Sequence, residues 1–129
     1  MEIEKLYLDT HALVWLYATG AQNFSPQAVH SIEAASRLLI SPIVEMETEL
    51  LYEIGKITVP AAVIVHYLSE RIDLRVCIHP FHRVVAQSVE MKWTRDPFDR
   101  LITAQASLER DHLLTKDRSI RAQYPHAVW

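Results

Sequence analysis

The sequence predicts a single α/β domain, residues 1–129, built around a mainly parallel sheet of four or five strands. Short apolar runs of strand length alternate with stretches of helical spacing along the chain. No internal repeat, low-complexity stretch or long linker interrupts that alternation. At 129 residues, 50% of them apolar, the chain can bury one ordinary core.

Taken in order, Ile3 to Leu8 reads as a short buried strand and Ala12 to Ala18 as the helix after it. Ser25-Pro26 supplies an N-cap and a first-turn proline for a helix from Gln27 to Ser36. Leu38 to Ile40 is a second apolar strand. Ser41-Pro42 repeats the cap-plus-proline signal and opens a helix to about Glu53, with Gly55 just past it as a stop. Val59-Pro60 precedes another helix, reaching Arg71. Asp73 to Ile78 alternates, which puts Leu74, Val76 and Ile78 on one face of a half-buried strand. Phe81, Val84, Val85 and Val89 recur at helical spacing. Asp96-Pro97 starts a helix running to Arg110, Leu113-Leu114 forms a fourth strand, and Ala127 to Trp129 fits an edge strand.

Composition narrows the function. Only two glycines are present, Gly20 and Gly55, so neither a G-x-G-x-x-G turn nor a P-loop can be written. The single Cys77 allows no intramolecular disulfide and no multi-cysteine zinc site, as suits a reducing cytoplasm. The N-terminus has acids where a signal peptide needs basic residues, and no apolar run approaches a membrane span. A cytoplasmic protein without a membrane partner is expected. The net charge of −3 argues against a broadly basic nucleic-acid surface. It leaves room for an enzyme that gathers carboxylates around a metal.

In parallel sheets ligands sit at the carboxyl ends of the strands. Asp9 ends the first strand, and Asp117 follows the fourth. Either could simply cap the next helix. Asp96-Pro-Phe-Asp99 also makes a good helix start, with Asp96 as cap and Asp99 favourable to the dipole. Glu47 is harder to explain structurally. At about 100° per residue it falls near 200° on its helix, inside the apolar arc of Ile43, Val44, Met46, Leu50, Leu51 and Ile54. A carboxylate buried there needs an arginine, a proton or a metal.

Asp9, Glu47, Asp99 and Asp117 come from four segments placed near one sheet edge. Converging without a cation, they would repel one another. Mg²⁺ or Mn²⁺ takes such oxygen ligands and keeps waters for phosphate and nucleophile. Without these four acids the chain holds 13 basic and 12 acidic groups, so its acidity is compatible with a local site. The chemistry expected is metal-assisted phosphodiester hydrolysis, with Asp9 and Asp117 as primary ligands and Glu47 and Asp99 sharing the ions or orienting water. Thr10 and Thr115 would hold waters or phosphate, and Asp96 would be a cap or outer group. Arg100 and Lys116, like Arg95 and Arg118, suit phosphate contact at the rim and equally a solvated role.

These residues in this order resemble the PIN-domain ribonucleases, and more narrowly the VapC-like toxins of bacterial toxin–antitoxin systems. The resemblance rests on Tyr7-Leu-Asp-Thr-His-Ala-Leu-Val-Trp-Leu16, Ile40-Ser-Pro-Ile-Val-Glu-Met-Glu47, Ile54-Gly-Lys-Ile57, Asp96-Pro-Phe-Asp-Arg-Leu-Ile-Thr-Ala-Gln-Ala106 and Leu114-Thr-Lys-Asp117. It implies a three-layer α/β/α fold, the acidic quartet Asp9, Glu47, Asp99 and Asp117, and Mg²⁺-dependent endoribonuclease activity. It further implies a homodimer, an RNA substrate and inhibition by a cognate antitoxin protein. Met46 stands where many relatives have Trp, and Asp117 where the family varies between Asp and Asn; neither departure removes a ligand.

Other residues carry less. His79-Pro-Phe-His82 lacks a third zinc ligand nearby. Trp15, Trp93 and Trp129 suit core or interface more than base stacking, and His11, beside Asp9, could face the site, although adjacent residues on a helix point apart. The alternative function is a catalytically inactive interaction module whose acids only cap helices. A haloacid-dehalogenase-like phosphotransfer domain would want Asp-x-Asp after the first strand, which Asp9-Thr-His11 does not provide.

Overall fold

The computed structural model describes residues 2–129. The strands β1 (Ile3–Leu8), β2 (Ala35–Ile40), β3 (Arg75–Val76), β4 (His112–Leu114) and β5 (Ala127–Val128) form one sheet in the order β3-β2-β1-β4-β5, every pairing parallel. The helices are α1 (Thr10–Thr19), α2 (Pro26–Ala34), α3 (Pro42–Glu53), α4 (Ala61–Ile72), α5 (Phe81–Val89), α6 (Pro97–Ser107) and α7 (Arg118–Gln123). They flank the sheet in a three-layer α/β/α arrangement, as the sequence led us to expect.

Parallel strands covered on both sides read as nearly continuous apolar runs. Leu6, Tyr7, Leu8, Leu38, Leu39, Ile40, Leu113 and Leu114 are all buried accordingly. Helical side chains close the core, among them Leu13 of α1, Val44 of α3, Ile64 and Leu68 of α4, and Ile102 of α6. The chain builds outward from β1 to β2 and β3, then returns to place β4 on the other side of β1. The reversal between β1 and β4 is the point where an open α/β sheet leaves a crevice at its carboxyl ends.

Several boundaries differ from the sequence reading. Helix α2 stops at Ala34, because Ala35 to Arg37 already pair with β1 as the start of β2. The strand expected over Asp73 to Ile78 shrinks to Arg75–Val76, paired only with Leu39 and Ile40. Pro80 ends the segment, and Ile78, expected on a half-buried face, is 93% exposed. Helix α6 ends at Ser107 and not at Arg110, whose φ of 58° lies in the left-handed region. Helix α7 has no counterpart in the sequence reading: Ile120 is its one buried residue, too little apolar spacing to reveal a helix. On α3 the buried residues are Val44 and Thr48, while Met46, Leu50 and Ile54 face outward. The apolar arc is therefore wider than the face this chain covers. Among the described residues, no helix is long and apolar enough to cross a membrane.

Candidate active site

Four helix starts gather at the carboxyl edge of the sheet. A Ser, Asp or Asn before the first turn satisfies backbone N–H groups that have no partner within the helix. Asp9 caps α1 by accepting from the Ala12 N–H at 2.8 Å, and Ser41 caps α3 through the Ile43 N–H. Asp96 caps α6 by accepting from the N–H groups of Phe98 and Asp99, and Asp117 caps α7 through the Ile120 N–H at 2.9 Å. The capping roles considered for Asp9, Asp96 and Asp117 are therefore real. They do not compete with a place in the cleft, because each carboxylate keeps an oxygen free of its capping bond.

The cleft itself has a volume of about 410 Å³ and is lined by Asp9, Thr10, His11, Trp15, Glu47, Asp96, Asp99, Ile102, Lys116 and Asp117. All four acids singled out in the sequence border this one space. Asp9 arrives from the end of β1, Asp117 from the turn after β4, Glu47 from the second turn of α3 and Asp99 from the first turn of α6. β1 and β4 are neighbours, so the first and last of these are brought side by side at the topological reversal.

Two threonines fix the acids. The Thr115 hydroxyl, fully buried, donates to Asp9 Oδ2 at 2.5 Å and accepts from the Asp117 N–H at 3.1 Å, tying the two strand ends together. The Thr10 hydroxyl donates to Glu47 Oε1 at 2.5 Å and links α1 to α3. Glu47 is only half-buried, at the border of the buried stripe of α3 and not within it.

Burial and crowding shape the electrostatics. Burial pushes the Asp9 carboxyl above its usual range, against hydrogen bonds from Thr115 and Ala12 that lower it. Asp99 is pushed up to about 7, first by burial and then by the charges of Asp96, Asp117, Glu47 and Asp9. Among the described residues, no ion pair reaches any of these acids.

The donor set is all oxygen, which fits a hard divalent cation. Among the described residues, no three His, Cys, Asp or Glu side chains stand close enough together to hold a metal ion by themselves, so a cation here would complete its shell with waters. An open recess of this kind suits Mg²⁺, which keeps several waters and takes one or two carboxylates, better than a zinc site with four protein ligands.

Other expectations come out differently. Arg100 does not line the cleft; its Nε donates to the Thr94 carbonyl at 2.8 Å, which holds the guanidinium on the preceding loop. Lys116 does line it. His11, which could face the site or point away from Asp9, does border the cleft: Asp9 precedes α1 as its cap, and the helical angle between adjacent residues does not apply. His11 and Trp15, four residues apart on α1, both border the cleft. Trp15 packs against the core, as read from the sequence, and borders the cleft as well; its spacing from His11 was the signal available for a shared face. His79 bonds Cys77 and Glu109, away from the cleft.

A family model described as PIN domain matches residues 6–124. Ribonuclease VapC22 of Mycobacterium tuberculosis (strain ATCC 25618 / H37Rv) is 32% identical over 127 residues, covering 95% of this chain and 96% of the relative. A toxin-antitoxin complex from Klebsiella pneumoniae has a chain that aligns at a TM-score of 0.60 and 20% identity, over 96% of each chain. VapBC2 from Rickettsia felis, solved bound to a DNA fragment from its promoter, aligns at 0.66 and 16% identity, also over 96% of each chain. PAE2754 from Pyrobaculum aerophilum aligns at 0.59 and 23% identity, over 99% of this chain and 91% of that one. At these identities the structural likenesses bear on the fold.

Proposed function

The chain belongs to the PIN-domain family, within its VapC-like group, and from that premise we propose that it is a divalent-metal-dependent endoribonuclease acting as the toxin of a toxin–antitoxin pair. The observation that carries this reading is that Asp9, Glu47, Asp99 and Asp117 line one cleft with, among the described residues, no basic side chain paired to any of them. The ribonuclease relative, matched over nearly its full length, supports RNA as the substrate.

Asp9 and Asp117 would hold Mg²⁺ or Mn²⁺, with Glu47 and Asp99 sharing the ion or orienting the attacking water. A cation bound there supplies positive charge for the phosphate oxygens and acidifies water. The Thr115 hydroxyl keeps Asp9 and Asp117 in register, and the Thr10 hydroxyl sets the Glu47 carboxylate. Helix starts aimed at the cleft add partial positive charge where the phosphate would lie. Lys116 at the rim supplies a further phosphate contact.

An antitoxin partner is supported by the likeness to toxin–antitoxin proteins, and such a pair would act in the cytoplasm. A homodimer is supported by the uncovered apolar side chains Met46 and Leu50 of α3 and Phe81 and Val85 of α5. Beside them lies an apolar hollow of about 300 Å³ into which the buried Gln105 faces, its Nε2 without a partner. Light scattering on the purified chain tests the dimer, with Met46→Glu expected to give monomers.

The function is tested by incubating purified protein with a varied RNA pool in Mg²⁺ or Mn²⁺, beside EDTA and Asp9→Asn controls. Cleavage confined to the metal-loaded wild type is expected. Equal cleavage in all arms, or none with metal, would overturn the assignment.

A further inference from the structure

The acids account for the chemistry of the cleft but not for its aromatic wall. Trp15 and His11 occupy successive turns of α1, with ring centroids 5.8 Å apart and planes tilted by 46°. The Trp15 indole is fixed from behind by Trp129, edge-on at 5.9 Å, and Trp129 in turn packs on Phe24 at 5.2 Å. The Lys116 ammonium sits over the Trp15 ring, 5.7 Å from its centroid. Among the described residues Lys116 makes no ion pair, although it borders a cleft of carboxylates. Next to the cleft, Arg118, Arg121, Gln27 and Trp129 line a second hollow of about 580 Å³ that contains no acid.

We propose that Trp15, backed by Trp129 and flanked by His11, is the surface on which a nucleobase next to the scissile phosphate stacks, with Lys116 contacting the adjoining phosphate. The inference rests on the nuclease reading and adds to it a side chain that positions the substrate. A base can lie against an indole only when it is unstacked from its neighbours, as in loops and single strands. Stacking is tolerant of sequence, because every base presents a π face. A rigid ring beside a cation that no carboxylate holds is the pairing that single-strand sites use, one for the base and one for the backbone; the Lys116 ammonium, which sits over the Trp15 ring, would move to the phosphate as the base stacks. The chain continues from Lys116 to Arg118 and Arg121, so the phosphates beyond the cleft meet positive charge despite the net charge of −3.

The test measures binding of random-sequence single-stranded RNA 12-mers, their fully abasic counterpart and duplex RNA. Ca²⁺ replaces Mg²⁺ to slow cleavage, and the proteins are wild type, Trp15→Phe, Trp15→Leu and Lys116→Ala. Wild type is expected to bind the single strand about 5- to 100-fold more tightly than the abasic strand. Trp15→Leu removes that preference while keeping wild-type affinity for the abasic strand, and Trp15→Phe retains most of it. Lys116→Ala weakens both strands alike and lowers the salt dependence by about one counterion.

Equal affinity of wild type for the two strands overturns the proposal, even if Trp15→Leu fails to fold. So does a Trp15→Leu protein that binds like wild type, or one that loses both strands equally. If Trp15→Leu loses only a protein partner, the wall is a protein contact and the proposal falls. Metal-dependent cleavage by wild type in parallel separates the outcomes: its presence with no stacking preference sinks this inference alone, and its absence sinks the nuclease reading with it.

Discussion

Helix α6 carries an acid near each end, and the two meet opposite surroundings. Asp99, in the first turn, faces four other carboxylates and is raised to about 7. Glu109, just beyond the last turn, is met by the Lys5 ammonium at 3.2 Å and the His79 ring at 3.0 Å, which hold its carboxyl below the usual range. The fold can therefore deliver counter-charge to a carboxylate when the strands and helices call for it. The hydrogen bonds it gives the cleft acids come from hydroxyls and N–H groups, which position oxygen atoms without neutralising them, and among the described residues no ion pair reaches those acids. The Lys5 ammonium answers the acid at one end of the helix, and in the function proposed above the other end is left for a cation from solution.

The contrast can be broken experimentally. The largest effect is expected from Asp9→Asn, which keeps a capping oxygen for α1 but removes a charge: cleavage in Mg²⁺ should fall by at least about 100-fold, while Glu109→Gln stays within about twofold of wild type. Initial rates on the same RNA decide it. Thr115→Val should follow, with a loss of about 10- to 100-fold in activity or metal affinity and recovery in Thr115→Ser, because the hydroxyl orients a buried carboxylate. A Mg²⁺ titration of the rate separates affinity from turnover.

Asp99→Asn should cost activity yet raise stability in EDTA by about 1 kcal/mol, after discounting for solvent screening at a half-buried site. Mg²⁺ should narrow that gain by stabilising wild type more than the variant; a melting series with and without the ion checks both. The smallest effect belongs to Glu109→Gln, a few tenths of a kcal/mol at neutral pH. A lowered folded-state value means the contribution is present above the ordinary 4.5 and is lost as the pH falls through the folded value below it. Wild type and variant should melt together once the pH is below that range.

Strands β1, β2 and β4 were legible because parallel strands buried on both faces are short apolar runs. Asp9, Asp96, Asp99 and Asp117 were legible because each sits where a strand or loop gives way to a helix, a place marked by caps and prolines, whereas Glu47, in the second turn of α3, stood out only as an acid among apolar residues on the helical wheel. Arg100 was not legible, since a long side chain beside a cleft acid can turn either way, and here the Thr94 carbonyl captures it. The outward turn of Met46, Leu50 and Ile54 was also invisible: periodicity shows that a face is apolar without showing whether this chain covers it. Ile78 failed for a related reason, as its alternating pattern outlasts the two residues that pair with β2.

The double use of the cleft acids bears on how copies of this sequence would decay. A descendant that had lost the proposed nuclease activity would still need a capping Asp, Asn, Ser or Thr at positions 9, 96 and 117 to begin α1, α6 and α7, so drift there would stay among capping residues. Glu47 and Asp99 hold no backbone N–H, and their replacement would leave every helix start intact. In a lineage of such genes, the retirement of the chemistry would be written first at those two positions.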